Sequence, residues 1–389
     1  PQGTYDASID YSTWAAWSKE HAESVGRSFN YPHVAAAHWV FYRLARYYTG
    51  LVPESDWSVY LDRSWRTAVA MTELAPYYAQ FGQMEGTVFG LILEDLKREG
   101  WTDAVEKLES VMRARAENWS LLNYPFGSEM PWDSTGQEEV YFWSDYFGFD
   151  EKATVTLNAI MAYMPVIPHW AYNGNARRYW DFLYGGKLSR IERQIHHYGS
   201  GMNAIPVLSA FRKQPNRFHL LQVGYGGRLG AISNITQEGF GPAAFHSFPQ
   251  TLAIDGISGD YGPGFFGYAI NESAYVTRHP VLGWLGFGAN ISESSDIVEF
   301  QITTASGRQF YLAPEELWIR LDAGKITRLE YVPESQSLKV FLAPATAHQP
   351  VAYMRCNRDM GLSVDIFNEA YKIPLHDTEE TAFEIYLKQ

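Results

Sequence analysis

The 389-residue chain is 46% hydrophobic and carries a formal net charge of -13, enough length and apolar content for two domains with substantial cores. That composition excludes a disordered chain and argues against nucleic acid, whose phosphates need a basic surface. The same charge disfavours a strongly polyanionic substrate unless a local basic patch overrides it.

The chain starts Pro1-Gln2-Gly3 without a Met, as expected of a processed piece, whose cleaved upstream segment then becomes a possible partner. A helix is expected near 11–25. Val34, Ala37, Phe41, Leu44 and Tyr48 then follow a 3,4,3,4 spacing, one face of an amphipathic helix, with Pro32 at its start and Gly50 as its stop. Helices are predicted over 57–80 and 84–98. Trp101, Val105, Leu108 and Met112 repeat the pattern after Gly100. Residues 118–136 form a long predicted loop holding Glu129, Trp132 and Asp133, and loops of that length inside compact domains are commonly functional. Further helices are predicted over 137–147, 150–163, 175–184, 188–198 and 202–212. About ten helices on short connections suggest antiparallel helix pairs.

The texture changes near residue 214. "RFHLLQVGYGGRLGAIS" reads as strand broken at glycines. Its "GYGGRLG" (224–230) has the spacing of a dinucleotide motif, but with no helix signal after it the segment is taken as a hairpin turn. "IVEFQITTASGRQFYLAP" and "KITRLEYVPESQSLKVFLA" read as hairpins. The expected organisation is a helical-hairpin domain over 1–213 and an antiparallel, sandwich-like β domain over 214–389, with 234–290 covering the seam.

Chemistry concentrates in "PWDSTGQEEVYFWSDYFGFDE" (131–151), where carboxylates stand among large rings. A core rejects the charges and a solvated helix face has little use for the rings. A sugar-cleaving cleft wants both. Thr135 and Glu138 match a capping box, which gives Glu138 an ordinary role. Glu139, at the start of the same helix, has none, and a carboxyl among rings loses solvation and rises toward the pKa of a general acid. Glycoside hydrolysis needs a second carboxylate, from Glu138, Asp133 or Glu129. Asp145 and Asp150 are further candidates, with an ordinary helix-end role as the alternative reading. Trp132, Tyr141, Trp143 and Trp170 are candidate stacking platforms for sugar rings.

A second cluster is "RQIHHYGSGMN" (193–203). His197 and Tyr198 supply the kind of groups that β-elimination of a uronide requires, with Arg193 or Asn203 to neutralise the carboxylate. No HExxH or paired CxxC is present, so no catalytic metal is expected. The acidic loop Asp255 to Asp260 is at most a structural calcium site. The lone Cys356 reads as a buried structural thiol. No run is apolar enough for a membrane span. Four N-x-[ST] sequons, at Asn118, Asn234, Asn271 and Asn290, fit a secreted glycoprotein.

These pieces resemble the (α/α) toroid carbohydrate enzymes, which include six-hairpin glycosidases and toroid polysaccharide lyases. "WDSTGQEEVYFW", "HHYGSGMNAIP", "NITQEGF" and "GDYGPGFFGYA" are similar to a secreted six-hairpin-glycosidase-like family of unassigned function, over nearly the whole chain. The resemblance implies a toroid of helical hairpins and an extracellular carbohydrate substrate. It supplies no catalytic assignment. Six-hairpin glycosidases carry their β-sandwich before the toroid, whereas the toroid-then-sheet order here is that of toroid lyases. Three activities are therefore carried forward: a glycoside hydrolase acting on a poly- or oligosaccharide, a polysaccharide lyase, and a non-catalytic carbohydrate-binding protein.

Overall fold

The computed structural model describes residues 24–52, 56–125, 136–162, 197–232 and 261–387. Among these, helices come first and strands after. The helices are α1 (Asn30–Tyr47), α2 (Trp57–Leu74), α3 (Thr87–Arg98), α4 (Thr102–Ser120), α5 (Gln137–Tyr146), α6 (Asp150–Ala162), α7 (His197–Lys213), α8 (Phe218–Ile232) and α9 (Tyr261–Ile270). The helices expected near 11–25 and 175–184, and most of 188–198, lie outside the described residues. Local chemistry explains several helix ends. Asp56 caps α2 by accepting the Ser58 N–H at 3.1 Å. Gly100, at φ +72°, follows α3 in the left-handed conformation that stops helices.

α1 to α5 share one core, in which Tyr42, Leu61, Phe89, Ile92, Met112 and Trp143 are buried. α7 and α8 form a second core with Phe211 and Leu221, joined to Tyr275 and Tyr311 of the sheet.

The expectation of strand and a hairpin turn over 217–233 is wrong, because residues 218–232 are α8. Its glycines are contact points rather than turns. A Cβ at Gly224 would come within 2.6 Å of Leu208 on α7. Gly201 of α7 meets Ala231 of α8 and Gly267 of α9 in the same way. Small residues let three helix backbones approach closely, and periodicity counted on large apolar residues misses that face. Among the described residues, strands accordingly begin at Ala274, not near 214.

The strands are β1 (Ala274–His279), β2 (Gly283–Phe287), β3 (Ala289–Glu293), β4 (Val298–Ile302), β5 (Gln309–Leu312), β6 (Leu317–Ala323), β7 (Ile326–Val332), β8 (Ser337–Leu342), β9 (Val351–Cys356), β10 (Ile366–Phe367), β11 (Ala370–Pro374) and β12 (Thr381–Tyr386). They form a seven-stranded sheet in the order β10-β11-β9-β6-β5-β1-β2 and a five-stranded sheet in the order β12-β8-β7-β4-β3. Pairing is antiparallel except for β1 with β5. Inward residues of both sheets, among them Phe300, Phe310, Ile319, Leu329, Val340 and Met354, share one core, so the sheets pack face to face. The expected β7–β8 hairpin is present. The expected 297–314 hairpin is not: β4 pairs with β3 and β7, and β5 with β1 and β6, so the Ser306-Gly307 turn carries the chain between sheets. Gly307 has φ +58°, and its own Cβ would run into the Ile326 carbonyl, so a side chain there is excluded twice.

The outer face of the seven-stranded sheet docks on the helices through a buried ionic network. Asp322 of β6, 1% exposed, receives Arg43 of α1 at 2.8 Å, Arg98 of α3 at 2.7 Å and Arg355 of β9 at 3.1 Å. Arg98 also reaches Asp95 at 2.9 Å and the Asn368 carbonyl at 2.7 Å. Burial alone would raise the Asp322 carboxyl, but Arg43, Arg355 and Arg98 hold it well below the usual carboxylate range. Cys356 is half-buried with no disulfide partner, and burial pushes its thiol up to about 12, consistent with a structural role.

Candidate functional site

The N-terminal turn of α5 is wedged between the start of α3, the second half of α4 and the loop 78–86. Seven of its ten residues are buried, including Gln137, Glu138 and Glu139. Successive helical side chains point about 100° apart, so the two glutamates face different neighbours.

Glu138 reaches the N-terminus of α3, where its carboxyl accepts the Thr87 N–H at 3.1 Å. It therefore caps a neighbouring helix, which corrects the capping-box expectation. Gly136, which has no side chain, stands at the N-cap position of α5. The positive end of the α3 dipole favours an acid there. Even so, burial first, and then the charge of Glu139, push the Glu138 pKa well above the ordinary value.

Glu139 faces the other way. Its Oε2 accepts the Gln83 N–H at 2.6 Å and pairs with Arg115 Nη2 of α4 at 2.7 Å. Burial raises its pKa too, while Arg115, the Gln83 N–H and the Trp143 indole pull it back. Gly86 makes the passage possible, because a Cβ there would sit 2.5 Å from Glu139 Cγ. Arg115 also binds the Ala79 and Phe81 carbonyls, Trp119 Nε1 donates to the Gln80 carbonyl at 3.0 Å, and Gln83 Nε2 donates to the Tyr78 and Phe81 carbonyls. The loop is thus held by side chains carbonyl by carbonyl. It contains two non-glycine residues at positive φ, Tyr78 (+67°) and Glu85 (+66°), a conformation that costs free energy and concentrates at functional sites.

Glu85 brings a third carboxylate. It is almost fully buried, contributes to raising the pKa of Glu138, and pairs with Nδ1 of His33 on α1, whose side chain is 35% exposed. A line of ionisable groups therefore runs from solvent inward: His33, Glu85, Glu138, Glu139, Arg115. Around it, both amide atoms of Gln137, Thr87 Oγ1, Ser144 Oγ and Gln83 Oε1 are buried without a hydrogen-bond partner among the described residues.

Of the sequence candidates, Glu138 and Glu139 are brought together here. Glu129, Trp132, Asp133, Trp170 and Arg193 lie outside the described residues, as does the Asp255 to Asp260 loop. His197 and Tyr198 are the first two residues of α7. Asn203, on the same helix, is fully buried. Two platform assignments need correction. Trp143 is 0% exposed, edge-on to Phe142 and stacked on Phe147, so no ring face is open to a sugar. Tyr141 is also buried, 6% exposed. The sequence reading missed Glu85, Arg115, Gln83 and His33. Their partners stand 24 to 56 residues away, and no local spacing announces them.

Among the described residues, no group of three acidic, His or Cys side chains is arranged to hold a metal ion, and no helix is long and apolar enough to cross a membrane. Of the sequons, Asn118 and Asn290 are exposed, whereas Asn271 is buried with its amide on the Gly201 and Gly267 carbonyls. A model for a family of unknown function (DUF5695) matches residues 1–389. No curated protein and no solved structure matches the chain.

Proposed function

The chain belongs to that family of unknown function, and we propose that it is a carbohydrate-active enzyme, a glycoside hydrolase whose helical half is an (α/α) toroid. One observation carries the reading: adjacent, fully buried glutamates whose surroundings push their protonation apart. Glu138, beside two other carboxylates, is the group that keeps a proton, and so the general acid. Glu139, held by Arg115, is the one that ionises first, and so the base or nucleophile. This reverses the roles expected from sequence, where Glu139 was the acid. The unpartnered buried amide and hydroxyl groups of Gln137, Thr87 and Ser144 suit a polyhydroxylated ligand. Both carboxylates are sealed from solvent, so a sugar meets them in an opened state, and His33–Glu85 is the route by which protons exchange with water.

The test is a screen of neutral and uronate-containing polysaccharides, reading reducing ends and unsaturated product together. Glu138→Gln lowers kcat by roughly 10²–10⁴ on natural glycosides, the usual contribution of a general acid. It retains activity on an aryl glycoside whose leaving group needs no proton. Glu139→Gln loses both. Equal losses on both substrates for Glu138→Gln, or unsaturated product in place of reducing ends, would overturn the assignment, the latter in favour of β-elimination.

A further inference from the structure

Away from the acidic cluster, the domain seam holds more arginine than carboxylate. On β6, Trp318 and Arg320 alternate with the core residues Leu317, Ile319 and Leu321, so both point toward the helices. Arg355 of β9 stands directly opposite Arg320 in the strand register. Both guanidiniums share a single oxygen of Glu94 on α3, Arg320 at 3.3 Å and Arg355 closer. α7 adds Arg212. Its guanidinium carbon lies 4.1 Å from the centre of the Trp318 ring, and that of Arg320 lies 4.4 Å from the same centre.

Arg212 donates to the Tyr275 hydroxyl at 2.7 Å and pairs with no carboxylate among the described residues. Asp322 is next to Arg355 but is already shared with Arg43 and Arg98. Arg320 Nε, Arg355 Nε and the Trp318 indole N–H are buried without an acceptor. Burial lowers the pKa of Arg320, Glu94 opposes that, and the charges of Arg355 and Arg212 lower it further. Arg320 and Arg355 thus share one carboxylate, Glu94, which is 38% exposed and connects them to water, while Arg212 and Arg320 both lie against the Trp318 ring.

The geometry points to an oxyanion-binding site at this seam, taking the carboxylate of an acidic sugar against Arg212, Arg320 and the Trp318 N–H. A planar carboxylate fits the guanidinium fork. Glu94, set among the arginines, is an acceptor. It suits a ligand that carries hydroxyl donors beside its charge, and it disfavours a compact phosphate that offers mainly acceptors. The oxyanion follows from the arginines alone, and its placement on a sugar rests on the carbohydrate reading above.

The full chain is titrated with glucuronate, glucose and inorganic phosphate at matched ionic strength, reading tryptophan fluorescence and Tm. Glucuronate gives a saturable change that glucose and phosphate do not match. Arg212→Ala and Arg320→Ala each weaken it roughly tenfold or more, as loss of a charge-assisted hydrogen bond should. Trp318→Phe, which keeps a ring and removes the N–H, weakens it as well. Circular dichroism confirms that each variant is folded. Phosphate binding as tightly as glucuronate would overturn the sugar, and glucuronate binding that is absent or indifferent to all three substitutions would overturn the site. A protein that cleaves neutral glycans and ignores glucuronate keeps the hydrolase and loses this site. One that binds glucuronate here and cleaves nothing does the reverse.

Discussion

Glu138 shows how a single residue can be read correctly as a helix cap and incorrectly as to which helix it serves. The capping box assigned it to the start of its own helix, but the backbone amide it serves belongs to Thr87, 51 positions earlier. The consequence is measurable. Its folded pKa is raised, by burial and by Glu139, so the stability it contributes is fully present below the unfolded value of about 4.3 and is lost as pH rises through the folded value. Glu138→Gln keeps the shape and removes the titration. The variant therefore gains on wild type as pH rises from 4 to 8, in denaturant or thermal melts at each pH. A gap that stays constant across that range would mean that Glu138 ionises in the native protein as it does in water. The partner residues illustrate the limit of sequence reading: Arg115 and Glu85 look like ordinary helix and loop charges until the fold sets them against α5.

At the scale of elements, α4 was legible because large apolar residues repeat every three or four positions on its buried face, whereas in α1 the same kind of repeat found the helix and missed the face: Val34, Ala37 and Phe41 are exposed, and Ala35, Ala36, Trp39 and Tyr42 are buried. α8 was not legible, because its close approach to α7 runs through Gly224 and Ala231, and glycine carries two opposite meanings. The β4–β5 connection failed for a related reason. A turn signal says that the chain reverses, not which sheet it enters next. The glycine contact between α7 and α9 can be tested directly. A Cβ at Gly267 would stand 2.6 Å from the backbone carbonyl carbon of Gly201 and 2.9 Å from the Met202 nitrogen, atoms that cannot rotate aside. Gly267→Ala gains up to about 1 kcal/mol in helix propensity. The forced separation of the helices costs about 1–3 kcal/mol, and overpacking wins. A lower urea midpoint at unchanged m-value is the expected result, and an unchanged or higher midpoint would show that the helices can part at little cost.

Across the whole molecule, the order of helical part and β part was legible from texture. The joint between them was not, since a buried network drawing on α1, α3, β6 and β9 leaves no trace in local spacing. That network should make the two parts unfold together. Asp322 bonds both helical arginines and Arg355 at 1% exposure, beyond the reach of salt screening. Its folded pKa is depressed, so its stabilisation is present above the unfolded value of about 3.9 and disappears as pH falls through the folded value. Asp322→Asn leaves three guanidiniums without their shared charge, a loss of about 3–5 kcal/mol for breaking a buried pair. Calorimetry at pH 7 should show one cooperative transition for wild type, insensitive to added salt, and two separated transitions for the variant. The difference should shrink below about pH 4, where the carboxylate of the unfolded chain takes a proton while the native one still holds its charge. A single transition at the wild-type temperature in the variant would mean that apolar packing across the seam, through Tyr275 and Tyr311 against Phe211, suffices to couple the two parts without the ions.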